Sequence, residues 1–397
     1  MIRIFSKTAI HAAVIASFCG TAAVAQADSM PSKEEMWSII QQQQKQISQL
    51  QKMVTSTDAK VESVAKTGST GTKWSDKITI SGTVEVDATT GENFAGVDNA
   101  DLDVATAELS IDAQVAKQVS ANVTLLYEES AGAVATQLDV DGATITIKDE
   151  SVTPFYLTAG LMTLPFGVYE TGTMSDPLTL ELTETGDTAV LVGVDYMGFH
   201  ADVYGFNGSS TKTGDEEKIN KFGANLAYTL SQDAFTLNIG AGYLSGIEDS
   251  DGISGALGAD NANMTDHVDA WNLHANVAMG PVTLSAEYVG LSDPVLNSTN
   301  AVLANLTNRE PSAWSIGGDY ALNLGGMDAG LHVAYSATDD AQHIGLAENR
   351  FAISGDLAIF ENTTLAAEYA TDEDYSTADG GTGADNHTAT LRLGVSF

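Results

Sequence analysis

The chain has 397 residues, and its 17 lysines and arginines stand against 53 aspartates and glutamates, which gives a formal net charge of −36. Such a charge repels phosphate and disfavours nucleic acid as a partner. A hydrophobic content of 43% argues against disorder. No apolar run of about 18 residues follows the N-terminus, which excludes a bundle of membrane-spanning helices. A globular enzyme and an outer-membrane β-barrel both remain.

The segment 1–27 has the pattern of a secretory signal peptide. Arg3 and Lys7 precede an apolar stretch, and Ala25-Gln26-Ala27 is a small-x-small cleavage site. The single cysteine, Cys19, lies in this segment. The sequence therefore predicts export, and a mature chain with no disulfide and no cysteine-based metal site.

Residues 31–66 show a helical period. Apolar or tolerated residues recur at alternate spacings of four and three, with β-branched residues at one heptad position, namely Ile40, Ile47, Val54 and Val61. This pattern predicts a periplasmic coiled coil that joins copies of the chain, most plausibly as a trimer, although a lone amphipathic helix has a similar pattern. Residues 67–76, which are rich in Gly, Ser and Thr, are predicted to be a linker.

From residue 77 to residue 397 the period changes to two. About 16 segments alternate apolar and polar residues, and short turns alternate with long loops between them. The segments begin near residues 77, 102, 120, 138, 155, 188, 199, 220, 234, 267, 281, 312, 327, 348, 363 and 386. A soluble β-sandwich also alternates. However, the aromatic residues of the apolar phase lie mostly near the ends of the predicted strands, as they do where a barrel meets lipid headgroups. The prediction is an all-β transmembrane antiparallel barrel in the outer membrane of a Gram-negative bacterium, embedded in lipid and lipopolysaccharide.

The opposite, polar phase is predicted to line a lumen. It is rich in Thr, Ser, Asn and Gly, and its acids outnumber its bases. Buried charges without partners are very costly, so water must reach this face. Acidic rings attract cations, and the prediction is a water-filled, cation-preferring channel. The predicted pore-lining residues are Glu85, Glu108, Asp112, Glu128, Glu287, Asp319, Arg350, Asp356, Glu368 and Arg392, with Asp87, Asp202, Lys148 and Lys221 on the same phase.

The last strand ends in Phe397 with Leu391, Leu393 and Val395 at alternate positions. This arrangement resembles the C-terminal signal of barrels that the outer-membrane assembly machinery inserts. We therefore expect that machinery to be a partner through Phe397.

The segment Gly160-Leu-Met-Thr-Leu-Pro-Phe-Gly-Val-Tyr-Glu170 continues with Thr-Gly-Thr-Met-Ser-Asp-Pro-Leu-Thr-Leu-Glu181. It resembles the constriction-loop region of the phosphate-type porins and, more closely, that of the LbtU-type siderophore porin family. The resemblance implies a loop folded into the barrel and uptake of small solutes, including ferric siderophores. It also makes Phe166, Tyr169, Glu170, Asp176, Glu181 and Glu184 the candidate constriction residues.

This loop departs from the phosphate-type porins, because no Lys or Arg occurs between residues 149 and 211. A neutral or cationic solute therefore fits better than an anion. Phe166 and Tyr169 either pack or contact the solute, and packing is the preferred interpretation for Phe166.

No phosphate-binding loop, zinc-helix motif or nucleophile elbow is present. We therefore predict no cofactor, no metal and no enzyme activity. Two alternatives stay open, a structural or adhesive envelope protein and an outer-membrane hydrolase that uses His200 or His274. The run Glu248-Asp249-Ser250-Asp251 does not fit a calcium loop, and it is predicted to be a solvated acidic loop.

Overall fold

A computed structural model describes residues 77–129, 138–169, 171–214, 219–258, 264–295 and 309–397. The predicted signal peptide, coiled coil and linker lie outside the described residues, and they stay predictions. Among the described residues, no helix is long and apolar enough to span a membrane.

The described chain forms one closed barrel of 16 strands, in which β1 pairs with β16. Every neighbouring pair is antiparallel, which confirms the closed antiparallel barrel of the predicted fold class. The strands are β1 Ile78–Glu92, β2 Asp98–Ala116, β3 Val119–Tyr127, β4 Asp139–Lys148, β5 Phe155–Thr163, β6 Gly186–Tyr196, β7 Phe199–Phe206, β8 Lys221–Ser231, β9 Thr236–Ser245, β10 Asp269–Met279, β11 Val282–Leu291, β12 Ser312–Leu324, β13 Met327–Asp339, β14 Asn349–Phe360, β15 Thr363–Glu373 and β16 Asp385–Ser396.

Two α-helices lie in loops of the described chain, α1 Leu178–Thr183 between β5 and β6 and α2 Asp251–Leu257 between β9 and β10. Short 3₁₀ turns occur at Ile247–Asp249 and Gln342–Ile344. The opposite end of the barrel has tight turns. Between β6 and β7, Met197 and Gly198 both have positive φ, at 50° and 86°, as a two-residue hairpin turn requires.

The alternation of side chains places an apolar belt on the outside of the barrel. In β6, Val190 and Val192 are 55% and 47% exposed, whereas the alternating residues Ala189 and Leu191 are 1% and 6% exposed. Leaving such a belt in water would forfeit about 25 cal/mol for each Å² of apolar surface, so the exterior suits hydrocarbon. Exposed aromatic residues border the belt: Phe155, Tyr196, Phe199, Phe222, Trp271, Tyr288, Trp314, Tyr320, Phe351, Phe360, Tyr369 and Phe397.

The interior differs from the prediction of a uniformly polar, wet lumen. On β6 to β11 the inward phase carries large apolar side chains, which pack beneath two loops that fold into the barrel. These side chains are Leu191, Tyr204, Phe206, Leu244, Val289 and Leu291, and they form one core with Phe166, Leu182, Ile247 and Ile253 of the loops. Part of the barrel is therefore filled by packed side chains. The period of two locates the inward face but cannot show what covers it.

Candidate pore constriction

The described residues 164–169 and 171–185, here called the inward loop, lie inside the barrel between β5 and β6. Glu287 of β11 accepts hydrogen bonds from the backbone N–H groups of Val168 and Tyr169, both at 2.9 Å. Glu368 of β15 accepts one from Ser175 N–H at 2.8 Å, and a second from Met174 N–H at 2.5 Å. Because both carboxylates belong to the inner wall, they hold the loop across the interior.

Local backbone geometry shapes this loop. Gly167 has a φ of +88° and Tyr169 has a φ of 53°, so the chain turns sharply after Phe166. The Tyr169 hydroxyl donates to the Phe166 carbonyl at 2.5 Å and lies 2.9 Å from Thr183 Oγ1. Phe166 itself is only 1% exposed. Packing is therefore the role that its position supports, as the sequence favoured, and Tyr169 ties the two ends of the loop together.

Arg350 of β14 fixes the C-terminal half of the loop. Its guanidinium bonds to Glu181, to the carbonyl of Asp176 at 2.8 Å, and to Asp372 at 2.7 and 3.0 Å. Burial raises the pKa of Glu181, and the nearby guanidinium opposes that effect. Glu181 therefore acts as a paired anchor, and its charge is largely offset.

The other two described acids of the loop stand in a group of carboxylates, here called the acidic cluster: Glu128, Asp141, Asp176, Glu184 and Asp251. Burial raises the pKa of Glu184, and repulsion from each of the other four carboxylates raises it further. Burial also raises the pKa of Asp176, while Arg350 and Arg392 pull it down. Burial, followed by repulsion from Asp141, raises the pKa of Asp251. The cluster concentrates negative charge beside the inward loop.

Two members of the cluster were missed by the sequence analysis. Asp141 lies in β4, just beyond a register shift between Thr124 and Leu125 of β3, which breaks the simple alternation used to assign faces. Asp251 is brought in by the loop 246–268, whose inward fold has no periodic signature. The fourth predicted acid of the constriction, Glu170, lies outside the described residues.

The first two acids of the run Glu248 to Asp251 are buried, contrary to the prediction of a solvated acidic loop, whereas Asp251 is exposed. Glu248 is 0% exposed and Asp249 is 8% exposed. Lys221 of β8, itself 2% exposed, bonds to Asp249 and lies 3.4 Å from Glu248, and His267 Nδ1 lies 2.7 Å from Glu248. The charges of Glu248 and Asp249 therefore face a buried partner network instead of water, and this network holds the segment inside the barrel.

The two loops support each other inside the barrel. Ser250 Oγ donates to the Leu182 carbonyl at 2.9 Å, and Asp251 N–H donates to the Glu184 carbonyl at 3.0 Å. A Cβ atom placed on Gly252 would lie 2.1 Å from the Glu181 carbonyl oxygen. Only glycine permits this close approach of α2 to α1, so the constriction is built from two loops together.

The predicted pore-lining residues fall into groups with different surroundings. Arg392 pairs with Glu85 at 2.9 Å and with Asp87 at 2.8 Å. His332 lies 2.8 Å from both Asp319 and Asp356. Asp112 accepts from Asn122 at 3.0 Å. Glu108 lies on the same inward phase of β2, opposite Thr83, and Glu128 follows β3 in the acidic cluster.

Glu287, Glu368 and Arg350 also face inward, but the inward loop covers the two carboxylates, which are 7% and 6% exposed. Their prediction as pore lining rested on phase alone, whereas in the structure they hold the loop. Among the described residues, no group of three or more His, Asp or Glu side chains is arranged to hold a metal ion.

No family model matches the chain. The chain is 27% identical over 306 residues to a "UPF0422 protein" of Coxiella burnetii, which covers 76% of this chain and 65% of that protein. It is 25% identical over 360 residues to "UPF0422 protein lpl2888" of Legionella pneumophila, covering 81% and 66%. The chain thus spans just under two thirds of the length of these relatives.

Solved structures show where the fold occurs. The outer membrane channel DcaP of Acinetobacter baumannii matches with a TM-score of 0.55 and 15% identity over 81% of this chain and 97% of that one. An anion-selective porin from Comamonas acidovorans matches with a TM-score of 0.56 and 11% identity over 81% and 99%. Salmonella typhi OmpF matches with a TM-score of 0.55 and 13% identity over 81% and 97%. The resemblance to LbtU-type siderophore porins stays a prediction, and what the likeness shows is that this chain has the 16-stranded fold of outer-membrane porins.

Proposed function

We propose that the chain is an outer-membrane porin whose lumen, narrowed by two inward loops, passes small solutes by diffusion and prefers cations. The observation that carries the proposal is the acidic cluster. Glu184 of the inward loop is repelled by the charges of four other carboxylates, and the two nearby arginines, Arg350 and Arg392, are each already paired with two acids. A cation entering this field is stabilised and an anion is repelled.

The exterior supports the membrane part of this proposal. The apolar belt and its bordering aromatic residues suit a bilayer, and the likeness to outer-membrane porins adds to that argument. Relatives in Coxiella burnetii and Legionella pneumophila agree with an outer-membrane location. The proposed trimer through segment 31–66, and insertion by the assembly machinery through Phe397, rest on the sequence patterns.

The solute class is proposed on two grounds. The acidic cluster favours a neutral or positively charged molecule, and the resemblance to LbtU-type porins extends the proposal to ferric siderophores of such charge. A liposome-swelling assay with neutral sugars, amino sugars, sugar acids of equal size and a cationic ferric siderophore tests this. Faster entry of the cationic solutes than of anionic ones of equal size supports the proposal, and faster anion entry contradicts it.

A hydrolase finds little support. In the described residues, His200 bonds to Asp195 and Asp202, and His274 bonds to Asn272, so neither is hydrogen-bonded to a serine hydroxyl. Planar-bilayer recording of the purified protein is the decisive experiment. Stepwise conductance, with a reversal potential that shows higher permeability for cations than for anions, supports the porin. A protein that inserts but passes no current contradicts it.

A further inference from the structure

The inner wall formed by β7 and β8 carries buried oxygen atoms that have no partner in the described chain. The Asp202 side chain is 1% exposed; its Oδ2 lies 3.0 Å from His200 Nε2, but its Oδ1 has no hydrogen-bond partner. Asn225 Oδ1 and the Tyr204 hydroxyl are also buried without partners. These atoms belong to none of the contacts that hold the loops.

The three residues are neighbours on the wall. Asp202 of β7 is in register with Asn225 of β8, and the Asn225 amide donates to Asp202 Oδ2 at 3.5 Å. Tyr204 is the next inward residue of β7. Adjacent strands are about 4.8 Å apart and alternate residues about 6.8 Å apart, so the three side chains are neighbours on the inner face of the wall. Gly223, opposite Tyr204, leaves room for the ring: a Cβ there would lie 2.2 Å from it.

A buried acceptor without a partner costs about 1–3 kcal/mol, and a charged one costs more. A hydrogen-bond donor is therefore missing from this part of the described wall. A carboxylate oxygen and an amide oxygen accept hydrogen bonds, and a phenol oxygen can also accept. The set therefore suits a small donor with positive charge better than it suits water, which brings no charge.

Existing positive charge does not satisfy Asp202. His200 is shared, because its Nδ1 lies 2.7 Å from Asp195. Lys148 is also shared, between Asp195 at 3.0 Å and Glu150 at 2.9 Å. The two cationic groups, His200 and Lys148, are thus shared among three carboxylates. Neither forms a hydrogen bond with Asp202 Oδ1. The His200 side chain is 38% exposed, so solvent reaches the edge of this part of the wall.

We propose that Asp202, Tyr204 and Asn225 form a subsite on the channel wall for an ammonium group, either the free ion or the amine of a small solute. Asn272, whose unpartnered Nδ2 lies nearby over Gly242, is a donor and takes no part in the oxygen set. The subsite depends on the proposed function only for delivery of its ligand through the lumen.

The test measures line broadening of ¹⁵N-ammonium by the full-length protein in detergent micelles. The wild type is expected to broaden the signal, Asp202→Asn to abolish the broadening, and Tyr204→Phe to weaken the affinity several-fold. Asp319→Asn is the matched control, because Asp319 also flanks a bridging histidine, His332, yet has no unpartnered buried oxygen in the described wall. It should broaden the signal as the wild type does.

Methylammonium separates the two sources. If it displaces ammonium, the subsite accepts the amine of a solute; if it does not, the subsite takes the free ion. Broadening that is unchanged in both Asp202→Asn and Tyr204→Phe, or absent in the wild type, means that water fills the space, and it overturns the proposal. A bilayer recording runs in parallel. Conductance without Asp202-dependent broadening rejects only the subsite, and broadening without conductance rejects only the channel.

Discussion

Removing the charge of Asp176, Glu184 and Asp251 should reduce the preference of the channel for cations. These three acids belong to loops, and none of them forms an ion pair in the described structure, whereas Glu181 is paired with Arg350. The triple variant Asp176→Asn, Glu184→Gln, Asp251→Asn keeps the size of each side chain. It therefore tests charge with little change in the width of the constriction.

The expected magnitude follows from Coulomb's law. A unit charge about 8 Å from an ion in water contributes about 0.5 kcal/mol, and screening over one Debye length at physiological salt leaves about 0.2 kcal/mol. Three charges then contribute about 0.6 kcal/mol for a cation, and the same with opposite sign for an anion. The ratio of potassium to chloride permeability should fall about sevenfold, since RT is about 0.6 kcal/mol and the two effects add.

The assay is the reversal potential in a planar bilayer under a tenfold gradient of potassium chloride. The control removes three exposed charges at the end of the barrel that has the short turns, with Asp233→Asn, Asp328→Asn and Glu361→Gln. It should change the ratio far less. An unchanged reversal potential in the loop variant, with normal conductance, would show that the acidic cluster does not border the ion path.

Three further outcomes are expected. Lys221→Met leaves Glu248 and Asp249 buried without their cation, so the barrel should lose about 3–5 kcal/mol of stability. Denaturant titration in detergent measures this loss. An equal loss in Lys212→Met, whose partner Asp266 is exposed, would contradict the prediction. Because the pKa values of Asp176 and Glu184 are raised, cation preference should decline on acidification at a higher pH than ordinary carboxyl groups titrate. A reversal potential that stays constant down to the usual carboxyl range would oppose this. Val333→Arg, on the outer belt, should cost about 2–4 kcal/mol in lipid, measured by folding into vesicles, and a neutral result would remove Val333 from the hydrocarbon.

The strands could be predicted because a membrane barrel imposes one rule on each of them. Predicted starts at residues 155, 199, 312, 327 and 363 match the observed strands, since alternation there is unbroken. The largest error is β2, predicted from residue 102 but beginning at Asp98. A register shift opposite Glu85 and Val86 changes which residues of β2 face inward. The polar residues at the start of β2 therefore resembled a loop in the sequence.

The inward loops could not be derived from periodicity, because their position depends on contacts between residues far apart in the chain. Glu287 lies 119 positions from Val168, and Glu368 lies 193 positions from Ser175. On the sequence, both acids look the same as Glu108, which has no such partner among the described residues. Resemblance suggested the first inward loop. The sequence pattern of Glu248 to Asp251 did not show that these residues would pair with the buried Lys221 and that the loop 246–268 would fold into the barrel.

The same distinction changes the meaning of the net charge of the lumen. Counting acids on the polar phase suggested that most of them act on the passing ion, but the structure divides them by partner. Glu287 and Glu368 accept hydrogen bonds from backbone N–H groups, and Glu85 and Asp87 pair with Arg392. These four carboxylates therefore have structural partners in the barrel. In the proposed channel, an ion is influenced mainly by the carboxylates without an ion pair in the described chain, and three of these, Asp176, Glu184 and Asp251, lie on the loops. Selectivity should therefore vary with loop sequence while the barrel that presents it stays constant.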